Sequence, residues 1–197
     1  MRNSRQPFTE SFRWILAPFI LLLVSGASLS AGATTLMRMS LAEISQAAEV
    51  IVRARCTGNS TGWDAGEIWT FTSFDLEETW RGSAPAQISV RLLGGRIGNI
   101  TSSVSGVPRF SSGEEVILFL VRTPRGDFSI VSWEQGTFRI RRDARTGEKI
   151  VAQDTAAFPV FDPGTRRFET GGIRDLPVAE FRSRVEAAMR DETRRQP

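Results

Sequence analysis

The chain has 197 residues, 41% of them hydrophobic, with 25 Lys+Arg against 22 Asp+Glu for a net charge of +3, the size and composition of one ordinary folded domain. It contains no histidine and one cysteine, Cys56, which excludes Ser-His-Asp and Cys-His catalytic groups, imidazole-liganded zinc and an internal disulfide. No cofactor or metal is implied by what remains.

Residues 1–33 read as an export signal. Arg2, Arg5 and Arg13 precede the eleven-residue apolar run Trp14 to Val24, and a small uncharged stretch ends in Ala31-Gly32-Ala33, an A-x-A-type cleavage pattern. The alternative is an uncleaved N-terminal anchor, but the apolar run is shorter than the ~20 residues a spanning helix needs. Cleavage leaves residues 34–197 with 22 basic and 21 acidic side chains, a net +1. That balance carries no basic excess for nucleic acid. The expectation is an exported protein, periplasmic or secreted, that meets the membrane only transiently through its signal.

Ser40-Leu41-Ala42-Glu43 is a capping-box pattern, followed by Leu41, Ile44 and Ala48 on one side of a short helix. Val50, Val52, Ala54 and Cys56 alternate with Ile51, Arg53 and Arg55, which predicts a first strand and places Cys56 among the buried set. Gly58 to Gly66 reads as a turn-rich connection. Glu67 to Trp80 is a long strand, with Ile68, Thr70, Thr72, Phe74 and Leu76 on one face and Trp69, Phe71, Asp75 and Glu77 on the other. Gln87 to Leu93 is a third strand closed by Gly94-Gly95, and residues 94 to 113 are expected to be irregular.

Glu115 to Val121 is a continuous apolar run, as in a central strand buried on both faces. Phe128 to Trp133, Thr137 to Arg142 and Glu148 to Ala152 are shorter strands, the last two joined by a hairpin loop at Asp143 to Gly147. From 155 to 197 a C-terminal extension runs across the strands through Phe158, Phe161 and Gly171-Gly172. It ends in a helix capped near Asp175 and Pro177, with Val178, Phe181, Val185, Ala188 and Met189 as its apolar stripe. The fold class is therefore mainly β, with a short N-terminal helix and a C-terminal amphipathic helix.

The segments Ala48-Glu49-Val50-Ile51-Val52-Arg53-Ala54, Phe74-Asp75-Leu76-Glu77-Glu78-Thr79-Trp80-Arg81-Gly82, Ile88-Ser89-Val90 and Phe110 through Phe119 resemble the netrin and tissue-metalloproteinase-inhibitor class of OB-like domains. The resemblance spans about 49–120 and is shared with exported bacterial proteins of the same strand-GG-loop-strand layout. It implies a small OB-like β-barrel, closed or partly open. Inhibitors of that class present an N-terminal cysteine to the protease zinc and brace the barrel with disulfides. Here the expected mature start, Thr34-Thr35-Leu36, has no cysteine and Cys56 stands alone, so those inhibitory residues have no counterpart.

The sequence offers little chemistry. There is no S-x-x-K, no Walker loop, and no run of oxygen ligands after Asp162-Pro163-Gly164. Asp75 and Glu77 share a strand face about 7 Å apart, a spacing compatible with paired-carboxylate hydrolysis, although solvated acids on an edge strand look the same. Asn59-Ser60-Thr61 and Asn99-Ile100-Thr101 are read as coincidental matches to a glycan acceptor. Two features suit recognition: the glycine-rich stretch with Gly94, Gly95, Arg96, Arg109 and Phe110, and the turn carrying Trp133 and Gln135. The expected function is non-enzymatic binding of a protein or envelope component. The alternative is an inhibitor or accessory partner of a co-exported protease.

Overall fold

The computed structural model describes residues 36–153 and 159–195. The expected export signal, the first two residues of the expected mature chain and the start of the C-terminal extension lie outside them. The protein is mainly β, with a short helix near the N-terminal end and a longer helix at the C-terminal end.

Helix α1 (Leu41–Ala47) starts as its capping box dictates. The Ser40 hydroxyl accepts from the Glu43 N–H at 3.2 Å, and the Glu43 carboxylate accepts from the Ser40 N–H at 2.7 Å, satisfying two first-turn donors. Strand β1 (Val50–Asp64) is twice the expected length. The Gly58 to Gly66 connection is a correction: pairing continues from Gly58↔Ser73 to Asp64↔Glu67, and the turn is confined to Ala65 and Gly66, both at positive φ. That is the backbone of a two-residue hairpin, whose twist matches the strands it joins. Small polar residues there fill a ladder because β2 (Glu67–Arg81) supplies Trp69 and Phe71 opposite them. Asn59 belongs to this ladder: its amide donates to the Phe110 carbonyl at 2.9 Å and its oxygen accepts from the buried Thr72 hydroxyl at 2.6 Å.

Strand β3 (Gln87–Leu93) is as expected, but the irregular stretch after it contains a second hairpin, β4 (Gly95–Ile97) and β5 (Ile100–Ser102). Next come β6 (Glu115–Arg122), β7 (Phe128–Ile130), β8 (Thr137–Arg142) and β9 (Lys149–Gln153). β7 stops short of Trp133 because Ser132 and Trp133 take positive φ and open a 3-10 turn over Trp133–Gly136. The C-terminal extension forms a hairpin, β10 (Val160–Asp162) and β11 (Arg167–Glu169), then β12 (Leu176–Pro177) and helix α2 (Val178–Arg195).

The main sheet runs β1-β2-β3-β7-β6-β8-β9-β12, and β6 also pairs with β1. One edge of β6 meets β1. The other is divided, Val116 to Leu118 pairing with β8 and Leu120 to Arg122 with β7.

β6 therefore separates two cores. Its Val116, Leu118 and Leu120 join Val52, Ala54, Phe74 and Val90 in an all-strand core. Its Ile117 and Phe119 face the opposite way, onto Phe138, Val151, Ile44 and the α2 residues Phe181 and Val185. All five β6 residues are fully buried, which is why the segment reads as an unbroken apolar run rather than alternating. Phe181 docks α2 by meeting Phe138 at 4.5 Å and Phe119 at 6.4 Å between ring centroids. Cys56 is buried in the strand core, and burial pushes its thiol pKa up, the setting of an inert rather than a reactive sulfur.

Candidate functional site

The expected recognition residues separate into two groups. Gly94, Gly95, Arg96 and Arg109 come together where β3 ends and the β4–β5 hairpin folds back over the tip of the long β1–β2 hairpin. The Gly94 N–H donates to the Ile68 carbonyl at 2.7 Å, and the Gly94 carbonyl accepts from the buried Thr70 hydroxyl at 2.7 Å. Gly95 sits at φ 148°, where a Cβ would lie 2.6 Å from the Thr70 hydroxyl, so only glycine lets the two hairpins approach this closely. Arg109 braces the corner by donating to the Leu93 carbonyl at 3.2 Å, and burial lowers its guanidinium pKa. Arg96 is exposed, while its backbone carbonyl accepts from the Thr61 hydroxyl at 2.9 Å.

The other three residues are interior supports. Phe110 is buried edge-on against Phe74, with ring centroids 5.1 Å apart. Trp133 is half-buried against the strand core. Gln135 is 2% exposed. Its amide accepts from the Met39 N–H at 2.8 Å and donates to the Met37 carbonyl at 2.8 Å, strapping residues 37–39 to the 3-10 turn.

Beside this corner lies a groove of about 250 Å³, lined by Trp63, Ile68, Leu93, Ile100 and Val104, with Glu67 and Ser102 also on its wall. Ile68 is the buried floor, while Trp63 and Ile100 are 56% and 55% exposed. Both side chains therefore leave apolar surface open beside the groove. Neither residue is among the recognition residues expected from the sequence, because Gly58 to Gly66 reads as a turn-rich connection and residues 94 to 113 as irregular. The available signal was the apolar pair Trp63 and Ile68 flanking Asp64-Ala65-Gly66-Glu67.

The other face of the same hairpin tip is locked. Asp64 accepts from Arg91 at 2.5 Å and Arg125 at 2.6 Å, and these bonds hold its carboxyl below the usual range. The Arg91 guanidinium stacks 4.1 Å from the Trp69 ring centroid. The groove thus rests on a tip tied to β3 and to the loop before β7.

The base of the hairpin is charged and self-satisfied. Arg53 bonds Glu115 and pairs with Glu78 at 2.9 Å and Glu77 at 3.1 Å. Lys149, the only lysine, reaches Glu115 at 2.7 Å. Burial opposes ionisation of Glu115, but Lys149 and Arg53 outweigh it and bring its pKa down to about 2. Asp75 and Glu77 are engaged separately: Asp75 accepts from Gln87 at 2.8 Å, and Glu77 is held by Arg55 at 2.7 Å.

A larger cavity of about 720 Å³ lies between α1, the 3-10 turn and β10, lined by Met39, Gln135, Phe138, Val160 and Ile173, with Arg38 and Asp162 also on its wall. No occupant is assigned to it. Among the described residues no His, Cys, Asp or Glu side chains group as metal ligands, and no helix is long and apolar enough to cross a membrane. The sequence matches no protein-family model, and no curated protein aligns with it significantly. Fold and site define a mainly β protein with an open apolar groove at one hairpin tip and a closed ion-pair network at its base.

Proposed function

We propose that the chain is an exported, non-enzymatic binding protein, built on an OB-like barrel, that takes an apolar side chain of a protein partner into the Trp63–Ile100 groove. The barrel reading is supported by the ladder order: β1-β2-β3-β7-β6 returns to β1, with a parallel step at Val90↔Phe128. The binding reading rests on one observation, the paired exposure of Trp63 and Ile100 over a rigidly held floor. A space of about 250 Å³ is below the roughly 300–1,000 Å³ of small-molecule pockets. It suits one or two anchoring side chains, the arrangement from which protein interfaces draw most of their energy.

The test is site-specific photo-crosslinking in an exporting host, with a benzoylphenylalanine at position 63 or, as the comparison, at position 55. A discrete protein adduct is expected at 63 and none at 55. No adduct at 63, or the same adduct at both positions, would overturn the reading.

A second reading, inhibitor or accessory partner of a co-exported protease, is favoured by the N-terminal segment. Residues 36–39 are held extended by Gln135 and by bonds to Phe161, with Met37 58% exposed close to the expected cleavage site. Titration against the co-exported proteases distinguishes the two. Inhibition lost on Met37→Ala but kept on Trp63→Ala would favour the second.

A further inference from the structure

A different surface lies on the small sheet beside the N-terminal segment. Phe161 donates its N–H to the Leu36 carbonyl and accepts from the Arg38 N–H, each at 2.8 Å, which makes a parallel bridge between Met37 and Phe161. Phe161 also stands directly opposite Phe168 in the β10–β11 pair. One face of this sheet therefore carries Met37, Phe161 and Phe168. Met37 and Phe168 are 58% and 61% exposed, and the two phenyl rings are in edge contact at 5.4 Å. The opposite face is ionic, with Arg38 bound to Asp162 at 3.2 Å and Glu169 at 2.7 Å.

The backbone of β11 has a direction to it. Phe161 turns its N–H and C=O toward residues 36–38, so Phe161 and Phe168 form a non-hydrogen-bonded pair. The N–H and C=O of Phe168 then point away from β10, to an edge that no other described strand covers. An uncovered edge beside a 61% exposed phenylalanine is a template for further strand pairing.

We propose that β11 is where a second copy of this chain pairs, antiparallel, about a two-fold axis passing through Phe168. The tripeptide Arg167-Phe168-Glu169 is its own antiparallel complement. Phe168 meets Phe168 of the second copy through two backbone hydrogen bonds, and Arg167 stands opposite Glu169 of the second copy, twice over. Such isologous matching is what a two-fold interface requires, and opposite charges directly across a ladder stabilise it. The apolar stripe Met37–Phe161–Phe168 then continues across the axis. Three residues per copy fall well short of the roughly 1,200 Å² of a stable interface, so the pair forms and dissociates with protein concentration.

Thiol cross-linking reads this directly. Phe168→Cys, with Ile100→Cys as an equally exposed control, is oxidised at low protein concentration; Cys56 is 1% exposed and does not compete. The disulfide-linked dimer is expected about tenfold faster at 168, because pairing raises the local thiol concentration. Adding Arg167→Glu or Glu169→Arg to the Phe168→Cys chain places like charges across the axis, and each variant alone should cross-link at the control rate. Mixing the two makes every cross-axis pair opposite in charge again and should restore the fast rate as a heterodimer. Equal rates at 168 and 100, or a fast rate at 168 that charge reversal leaves unchanged, would overturn the proposal. Near-ultraviolet circular dichroism checks that each variant keeps the parent fold.

Discussion

The two ends of the β1–β2 hairpin solve opposite problems. At the base, Arg53, Arg55, Glu77, Glu78, Glu115 and Lys149 answer one another, leaving a surface whose charges are committed to holding β1, β2, β6 and β9 together. At the tip, Asp64, Arg91 and Trp69 lock one side, while Trp63 and Ile100 stand exposed on the groove. A rigid mount with an unsatisfied apolar face suits recognition, whereas a saturated ion network suits stability. The proposed division of labour runs along a single hairpin.

Substitutions should separate the two ends. The largest effect is expected at the base. Glu115→Ala leaves Arg53 and Lys149 partly buried without their shared partner, and should cost about 3 kcal/mol in urea unfolding. Acid acts on the same group. With its pKa brought down from 4.5 to about 2, the Glu115 carboxylate stabilises the fold fully above pH 4.5. That contribution shrinks as pH falls through the window and is gone below about 2. Between pH 7 and 2.5 the loss should be about 2 kcal/mol, and a Glu115→Gln variant should lack that part of the pH dependence.

At the tip, Gly95→Ala forces a Cβ against Thr70 at a φ of 148° and should cost about 1–2 kcal/mol. Because it displaces β4–β5, it should also weaken partner binding, which no base substitution is expected to do. The smallest effect on stability belongs to Trp63→Ala, within about 0.5 kcal/mol by thermal unfolding, as for exposed side chains generally.

The same contrast explains what the sequence disclosed. The apolar run of β6, the capping box at Ser40 and the stripe Phe181, Val185 and Met189 were legible because each is a local pattern whose period states its environment. Gly58 to Asp64 was not: glycine, asparagine and serine mark turns by themselves, and only pairing with Trp69 and Phe71 makes them a strand. Tertiary partners override propensity there. Gly94-Gly95 is visible in the sequence as a glycine pair, but the close approach to Thr70 that requires glycine there comes from the fold, and the exposure of Trp63 and Ile100 depends on the same packing. Gln135 misled for a related reason. Its amide is buried by bonds to residues nearly a hundred positions away, a separation that no local window reads.

The most direct test of the tip-and-base account is calorimetric titration of the partner captured at position 63 against the parent protein, Trp63→Ala and Arg55→Ala. Affinity at least about tenfold weaker for Trp63→Ala, with Arg55→Ala unchanged, is the predicted result. Equal losses at both positions, or a loss confined to Arg55→Ala, would contradict it.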